Sequence, residues 1–341
     1  MSLPPATRFS VAVLRAERLD RFLADQLRLS RTAAARLIAE GGVLLDGRLA
    51  RASAEPERGA EIAVTAPERP PRAVAPADIP LHIVFEDDEL AVVDKPAGLV
   101  VHPAPGHWDD TLVNALAARG LKLGGGEAGR LGIVHRLDKD TSGLLVVAKT
   151  ERAHQRLGAA LAARRIERRY AALVWGHLGK AVRRIDAPLA RHPGDRKRMA
   201  IAAGGRRAVT RVATIARGIA ADLAVAGLET GRTHQIRVHL ASIGHPVVGD
   251  AVYGGAAQRR SDATAQDAER LARATPRQAL HAAWLKLAHP GGGRTLELRS
   301  EWPSDLLEPL SVALGDANLL AVPKPLEYLG FFAFGAWDDR P

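Results

Sequence analysis

Five prolines fall between Pro67 and Pro80, in the stretch PERPPRAVAPADIP, and no regular helix or strand runs through such a segment. Proline fixes φ and lacks an amide donor, and the residue before each proline is pushed to extended backbone. With no hydrophobic period, residues 67–80 read as a semi-rigid linker. The chain therefore builds its structure twice, in a small body over residues 17–66 and a larger one over 81–314. Residues 1–16 form a lead-in, and residues 315–341 a tail to which no role is assigned. A length of 341 residues suits one large and one small domain, and 47% hydrophobic residues suffice to fill their cores.

In the small body, Leu19, Phe22, Leu23 and Leu27 recur at helical spacing. Ser30 offers an N-cap to a second helix over 31–40, which Gly41-Gly42 ends. Val43-Leu44-Leu45 then meets Asp46-Gly47, a pair favoured in two-residue hairpin turns, and a last strand is predicted near 61–64. This pattern resembles the S4-type RNA-binding domain, whose helical pair lies against structured RNA. The resemblance makes Arg31 and Arg36, on that pair, RNA contacts.

The larger body opens with strands predicted at 81–85 and 90–94, followed by the break Lys95-Pro96-Ala97-Gly98, and Asp110 is placed to cap a helix over 111–118. The stretch LGIVHRLDKDTSGLLVVA follows, from Leu131 to Ala148. Its two apolar runs, 131–134 and 144–148, read as strands, with Thr141-Ser142-Gly143 as turn chemistry between them. Along extended chain, Arg136, Asp138 and Asp140 project to one side and His135, Leu137 and Lys139 to the other. Beyond lie a helix near 152–163, an alternating strand over 166–176 that contains Tyr170, and LETGRTHQIRVHL from Leu228 to Leu240, whose later part reads as strand or loop. Residues 255–276 read as loop and helix, ahead of strands near 280–287 and 295–300.

His135-Arg136-Leu137-Asp138, followed by Thr141-Ser142-Gly143-Leu144, closely resembles the active-site motif of the RluA-type pseudouridine synthases, which isomerise uridine to pseudouridine in RNA. Val92 to His107, Leu228 to Leu240 and Gly244 to Asp250 match the same family, so that the resemblance covers about residues 17–314. Arg191-His192-Pro193, the stretch from Arg196 to Ala200 and the stretch from Arg277 to His281 are most similar to the RluD-like branch, which acts on large-subunit (23S) ribosomal RNA. The resemblance implies an α+β protein: an S4-like domain, then a catalytic domain with a mixed, mainly antiparallel sheet and a central RNA-binding cleft. It makes Asp138 the catalytic aspartate, pairs Arg237 with it and lays Tyr170 against the base. Arg136 would stack where the flipped base had been, and Leu280 would lie beneath the uracil. The reaction breaks a C1′–N1 bond, rotates the uracil and rejoins it through C5, so no cofactor or metal is expected. Neither a Gly-Lys-Ser/Thr phosphate loop nor a dinucleotide fingerprint occurs.

Charge points to the same kind of partner. Residues 151–217 hold 17 Lys and Arg against 4 Asp and Glu, whereas the rest of the chain holds 31 against 34. The whole basic excess of +10 is thus segregated, as a polyanion-binding surface requires, with Arg164, Arg165, Arg168, Arg169, Arg183 and Arg184 as candidate phosphate contacts. With 4% aromatics, broad stacking platforms for single strands are not expected. Zero cysteines exclude disulfides, and no apolar run reaches the roughly 18 residues of a membrane span, so a cytoplasmic protein is expected. The sequence does not fix the oligomeric state, for which a monomer is favoured. Two rivals are a metal-dependent RNA hydrolase built on His234, His239, His245 and Asp250, which lacks an H-x-x-x-H or H-E-x-x-H pair, and a non-catalytic RNA-binding or ribosome assembly protein. Transfer RNA is the alternative substrate.

Overall fold

The computed structural model describes residues 7–11, 17–27, 29, 31–65, 74–104, 106–121, 123–124, 131–179, 181–195, 197–254, 264–335 and 337. It divides into two compact units, Met1–Ala73 and Val74–Pro341. Ser30, proposed above as a cap, residues 67–73 of the proline-rich stretch and residues 255–263 lie outside the described residues.

The first unit runs β1 (Thr7–Ser10), α1 (Leu19–Gln26), α2 (Arg31–Ala39), β2 (Val43–Leu45), β3 (Arg48–Leu49) and β4 (Glu61–Val64), with an antiparallel sheet in the order β1-β4-β2-β3. Leu19 and Leu23 of α1 and Ala34, Leu37 and Ile38 of α2 close over Val43, Ile62 and Val64. Asp46 and Gly47 turn the β2–β3 hairpin at φ 49° and 76°, the paired positive values of a type I′ turn. Strand β1 corrects the reading of residues 1–16 as a bare lead-in, since its four residues pair with β4. Arg31 donates from Nε to Asp20 at 3.1 Å and so ties α2 to α1, while Arg36 is an exposed partner of Glu40 at 3.8 Å.

The second unit continues with β5 (His82–Glu86), β6 (Leu90–Lys95), α3 (Leu112–Ala118), β7 (Ser142–Ala148), α4 (Glu151–Ala162), β8 (Glu167–Trp175), β9 (Arg183–Asp186), β10 (Leu189–Arg191), β11 (Met199–Ile201), β12 (Val209–Ala216) and β13 (Ala221–Leu228). It ends with α5 (Gln235–Ser242), α6 (Ala265–Ala274), β14 (Leu280–Ala288), β15 (Thr295–Arg299), α7 (Leu307–Leu314) and α8 (Pro325–Tyr328). The large sheet is ordered β5-β6-β7-β14-β8-β13-β12-β9, with β15 against β14. Among the described residues its pairings are antiparallel except that of β7 with β14. Side chains alternate across the sheet, so β6 sends Leu90 and Val92 to one core with Ala153 and Leu157 of α4, and Val93 to the main core on the other face.

Three boundaries differ from the sequence reading. Residues 131–134 do not form a strand, because Leu131 and Gly132 sit at positive φ and only Ile133 bridges to Val147. Ser142 and Gly143 already belong to β7 rather than to a turn. Thr111, not Asp110, caps α3, in a reciprocal box with Asn114, while Asp110 accepts from His107 Nδ1 at 2.6 Å. The tail packs onto the rest of the second unit: Leu319, Leu326 and Phe331 are fully buried, and Glu301 accepts the amides of Leu326 and Glu327.

Candidate active site

The loop between Ile133 and β7 carries Asp138, and buried polar groups hold it from below. The expected alternation lasts until Asp138, with Leu137 buried and Arg136 exposed, and then a turn in which Thr141 N donates to Asp138 O at 3.1 Å breaks it. Lys95, fully buried at the end of β6, donates from Nζ to the carbonyls of Pro96, Leu99 and Lys139 at 2.7, 2.9 and 3.0 Å. Burial pushes its pKa down to about 7, but three carbonyl acceptors use all three protons of an ammonium group. Replacing a buried ion by an apolar group is often harmless when its partner ion leaves too. Here the carbonyls stay behind, so Lys95→Met is expected to cost about 3 kcal/mol and to loosen the turn at residue 139. A denaturant midpoint unchanged in this variant would contradict that.

On its other side the loop meets β14. Arg277 donates to Asp140 O at 3.0 Å and Ser142 Oγ at 3.1 Å while pairing with Asp305, and Gln278 Nε2 donates to Thr141 Oγ1 at 2.6 Å. From Ser142 a directed chain crosses the sheet. Ser300 gives its proton to Asp94 at 2.6 Å, so it accepts from His281 Nε2, and His281 Nδ1 accepts from Ser142. The imidazole is therefore neutral, in keeping with a pKa that burial pushes down to about 4. Gly143, at φ 109°, makes this approach possible: a Cβ there would lie 2.4 Å from Ala282 O.

Arg237 brings two carboxylates together. Its Nη1 donates to Asp138 Oδ2 at 2.9 Å, and its Nε and Nη2 bind Asp250 at 2.7 and 2.9 Å. Burial opposes the charge on Asp250, but Arg237 and the amides of Val252 and Tyr253 outweigh it and hold the carboxyl below its usual range. Arg237 lies in the first turn of helix α5, which corrects the strand-or-loop reading of this segment. Gln235 starts that turn by accepting from Thr230 Oγ1 and Arg232 N. His234 precedes it in the left-handed region, φ 56°, with Nε2 4.0 Å from Asp138 Oδ2.

Tyr170 and Leu280 line one small cleft together with Asp138, Arg136, Arg237 and Thr141. Burial raises the Tyr170 pKa; Arg168 offsets part of this and the Asp138 charge adds to it. A groove of about 510 Å³ adjoins this cleft through Arg136, Asp138, Leu228 and Arg232, and Arg206 and His102 line it further out. Arg136 makes no hydrogen bond or ion pair among the described residues and is exposed.

The RNA pseudouridylate synthase family pattern matches residues 89–242, and the S4 domain pattern matches residues 17–62. Ribosomal large subunit pseudouridine synthase D of Zymomonas mobilis is 48% identical over 296 residues, covering 85% of this chain and 91% of that relative. The chain belongs to the RNA pseudouridylate synthase family. Its counterpart of the same name in Pseudomonas aeruginosa is 43% identical over 301 residues, or 88% of this chain and 93% of the relative. Among solved structures, human RNA Pseudouridylate Synthase Domain Containing 1 has the same fold, with a TM-score of 0.51 at 25% identity over 66% of this chain and 84% of that one. The α+β architecture expected from the resemblance, an S4 domain followed by a synthase domain, is the one found.

Of the arginines expected to contact phosphate, Arg169 sits differently in this synthase. Arg169 is committed to the tail, donating to Phe334 O at 2.6 Å with its guanidinium 4.3 Å from the Trp284 ring centroid, which corrects its assignment to phosphate. Arg168 shares the face of Tyr170, and its Nε is buried without a partner. Arg164 is exposed beside Glu229 at 3.4 Å, Arg165 is exposed, and Arg184 pairs with Asp186 at 2.9 Å. The four residues of the metal rival do not converge. His239 bonds Thr210 and Ala187 O, His245 bonds Trp175 O, Asp250 serves Arg237, and His234 bonds Tyr253. Sequence reasoning missed Lys95, Gln235, Arg206 and Arg232 as parts of the site; Gln235 and Arg232 stood inside the matched Leu228 to Leu240 stretch.

Proposed function

We propose that this synthase isomerises specific uridines to pseudouridine in large-subunit ribosomal RNA, with Asp138 as the catalytic carboxylate. The observation that carries the reading is the Asp138 side chain held by Arg237 at the edge of a cleft that Tyr170 and Leu280 also line. The relatives' printed names supply the substrate. Folded RNA hides C1′, so the target base leaves its stack, at a cost of a few kcal/mol. Arg136, exposed and without a protein partner among the described residues, is free to stack in the vacated space. Asp138 then acts on C1′, on the base or on a sugar proton. The atoms balance without a co-reactant: C1′–N1 breaks, C1′–C5 forms, and the proton that C5 loses is matched by one gained at N1. Tyr170 lies against the base, with Leu280 on its apolar side. Arg206 and Arg232 in the adjoining groove contact the flanking phosphates, and the S4 domain, with Arg31 and Arg36, supplies a second RNA-binding surface. The reading implies a cytoplasmic protein.

The test is carbodiimide mapping of pseudouridines in large-subunit ribosomal RNA from cells lacking the protein, complemented with wild type or Asp138→Asn. Stops that vanish in the deletion and return only with wild type are expected. Ribosomal sites that do not change, with altered transfer RNA, would move the substrate, and no change in either RNA would sink the enzymatic reading.

A further inference from the structure

We propose that His234, as its neutral Nε2–H tautomer, is a positioning residue that acts with Arg237 on one oxygen of Asp138, leaving the other oxygen for the target nucleotide. The proposal rests on the role of Asp138 given above, and begins with the proton on Tyr253. Tyr253 Oη accepts the amide of Met199 at 2.8 Å and lies 2.9 Å from His234 Nδ1. A phenol has one proton to give. With an amide already donating to this oxygen, the hydroxyl proton points at the imidazole, and Nδ1 is the acceptor. The imidazole proton is then on Nε2, the atom 4.0 Å from Asp138 Oδ2. Burial lowers the pKa of His234 and so favours this neutral form; Asp138, Arg237, Asp250 and Arg136 are the charged groups that face it.

Geometry fixes the ring in this place. His234 is one of four non-glycine residues at positive φ among the described residues, a backbone that histidine tolerates better than most but that still stores strain. It stands immediately before the first turn of α5, so that His234 and Arg237 converge on the same carboxylate. The Tyr253 ring meets the imidazole edge-on at 5.7 Å and also lies 5.2 Å beneath the Arg237 guanidinium, so one aromatic ring sets both donors. Both approach Oδ2, while Oδ1 makes no hydrogen bond among the described residues. At 4.0 Å the histidine contact is about an ångström longer than a hydrogen bond, as contacts in sites without substrate often are, and it closes when the nucleotide is bound.

The experiment compares single-turnover pseudouridine formation on a large-subunit ribosomal RNA transcript by wild type, His234→Asn, His234→Gln and Tyr253→Phe, with RNA affinity and melting temperature measured in parallel. Asparagine retains an acceptor near the Tyr253 hydroxyl but has no donor that reaches Asp138, whereas glutamine places its amide near Nε2. The expected result for His234→Asn is a rate lower by about 10- to 100-fold, the worth of one charge-assisted hydrogen bond, with RNA affinity and melting temperature within error of wild type. His234→Gln recovers most of that rate, and Tyr253→Phe, which frees the tautomer, falls between them. A His234→Asn rate within about twofold of wild type overturns the proposal, as does a glutamine variant equally slow at equal affinity. If His234→Asn fails to fold, an unaltered rate in Tyr253→Phe overturns it. A wild-type protein inactive on ribosomal and transfer RNA alike would instead refute the reading of Asp138 on which the proposal rests.

Discussion

Asp138→Asn is expected to abolish pseudouridine formation, lowering the rate by at least about 10⁴-fold, while the protein folds and binds RNA as before. Asparagine matches aspartate in size but cannot attack carbon or accept a proton at neutral pH. Stability survives because Asp138 is the lesser of the two partners of Arg237. Its side chain is 16% accessible and accepts a single hydrogen bond from Arg237, whereas that of Asp250 is fully buried and takes two from Arg237. Tritium release from 5-tritiated uridine RNA and a filter-binding isotherm on the same preparation separate chemistry from affinity. A variant retaining a hundredth of the wild-type rate would be too active for the role assigned to Asp138.

Arg237→Met is expected to fail in both chemistry and folding. Removal of the guanidinium leaves the Asp250 carboxylate buried with only the amides of Val252 and Tyr253 for company. Breaking a buried pair from one side costs about 3–5 kcal/mol, which lowers the melting temperature of a unit this size by roughly 10 °C. Lysine is no substitute, because its single ammonium cannot span Asp138 and Asp250 in the geometry of a planar fork. Calorimetry on Arg237→Met, Asp250→Asn and the double variant isolates the coupling. If the double variant is more stable than Arg237→Met alone, the lone buried carboxylate is the cause. A single variant that melts with wild type would mean that the pair contributes nothing to folding.

Sequence reading reached the centre of the site more easily than its supports. The placement of Asp138 between two apolar runs and of Arg237 in a second motif was legible, and so were the type I′ turn at Asp46-Gly47 and the presence of β8, although Tyr170 to Trp175 are buried in succession rather than alternately. The segment from Gln235 to Leu240 was misread because its apolar residues alternate as in a strand. In the structure all six are buried, so no exposed face exists to reveal a helical period. Residues 131–134 failed for the opposite reason: their β-branched content is real, but two consecutive positive-φ residues end the extension. The commitment of Arg169 to the tail depends on Trp284 and Phe334, residues more than a hundred positions away. No local pattern encodes such a partner, just as nothing around Lys95 announces the carbonyl of Lys139.

The parallel pairing of β7 with β14 joins Ser142 to His281 and Gly143 to Ala282. Between them runs about half of the second unit, and such long-range pairings form late, after the entropy of closing the intervening chain has been met. During synthesis the Arg136–Asp138 loop therefore exists well before Arg277, Gln278 and His281 arrive to anchor it. A chain stopped short of Arg277 carries the complete Arg136–Asp138 motif without these anchors, so working geometry comes only to a nearly finished protein.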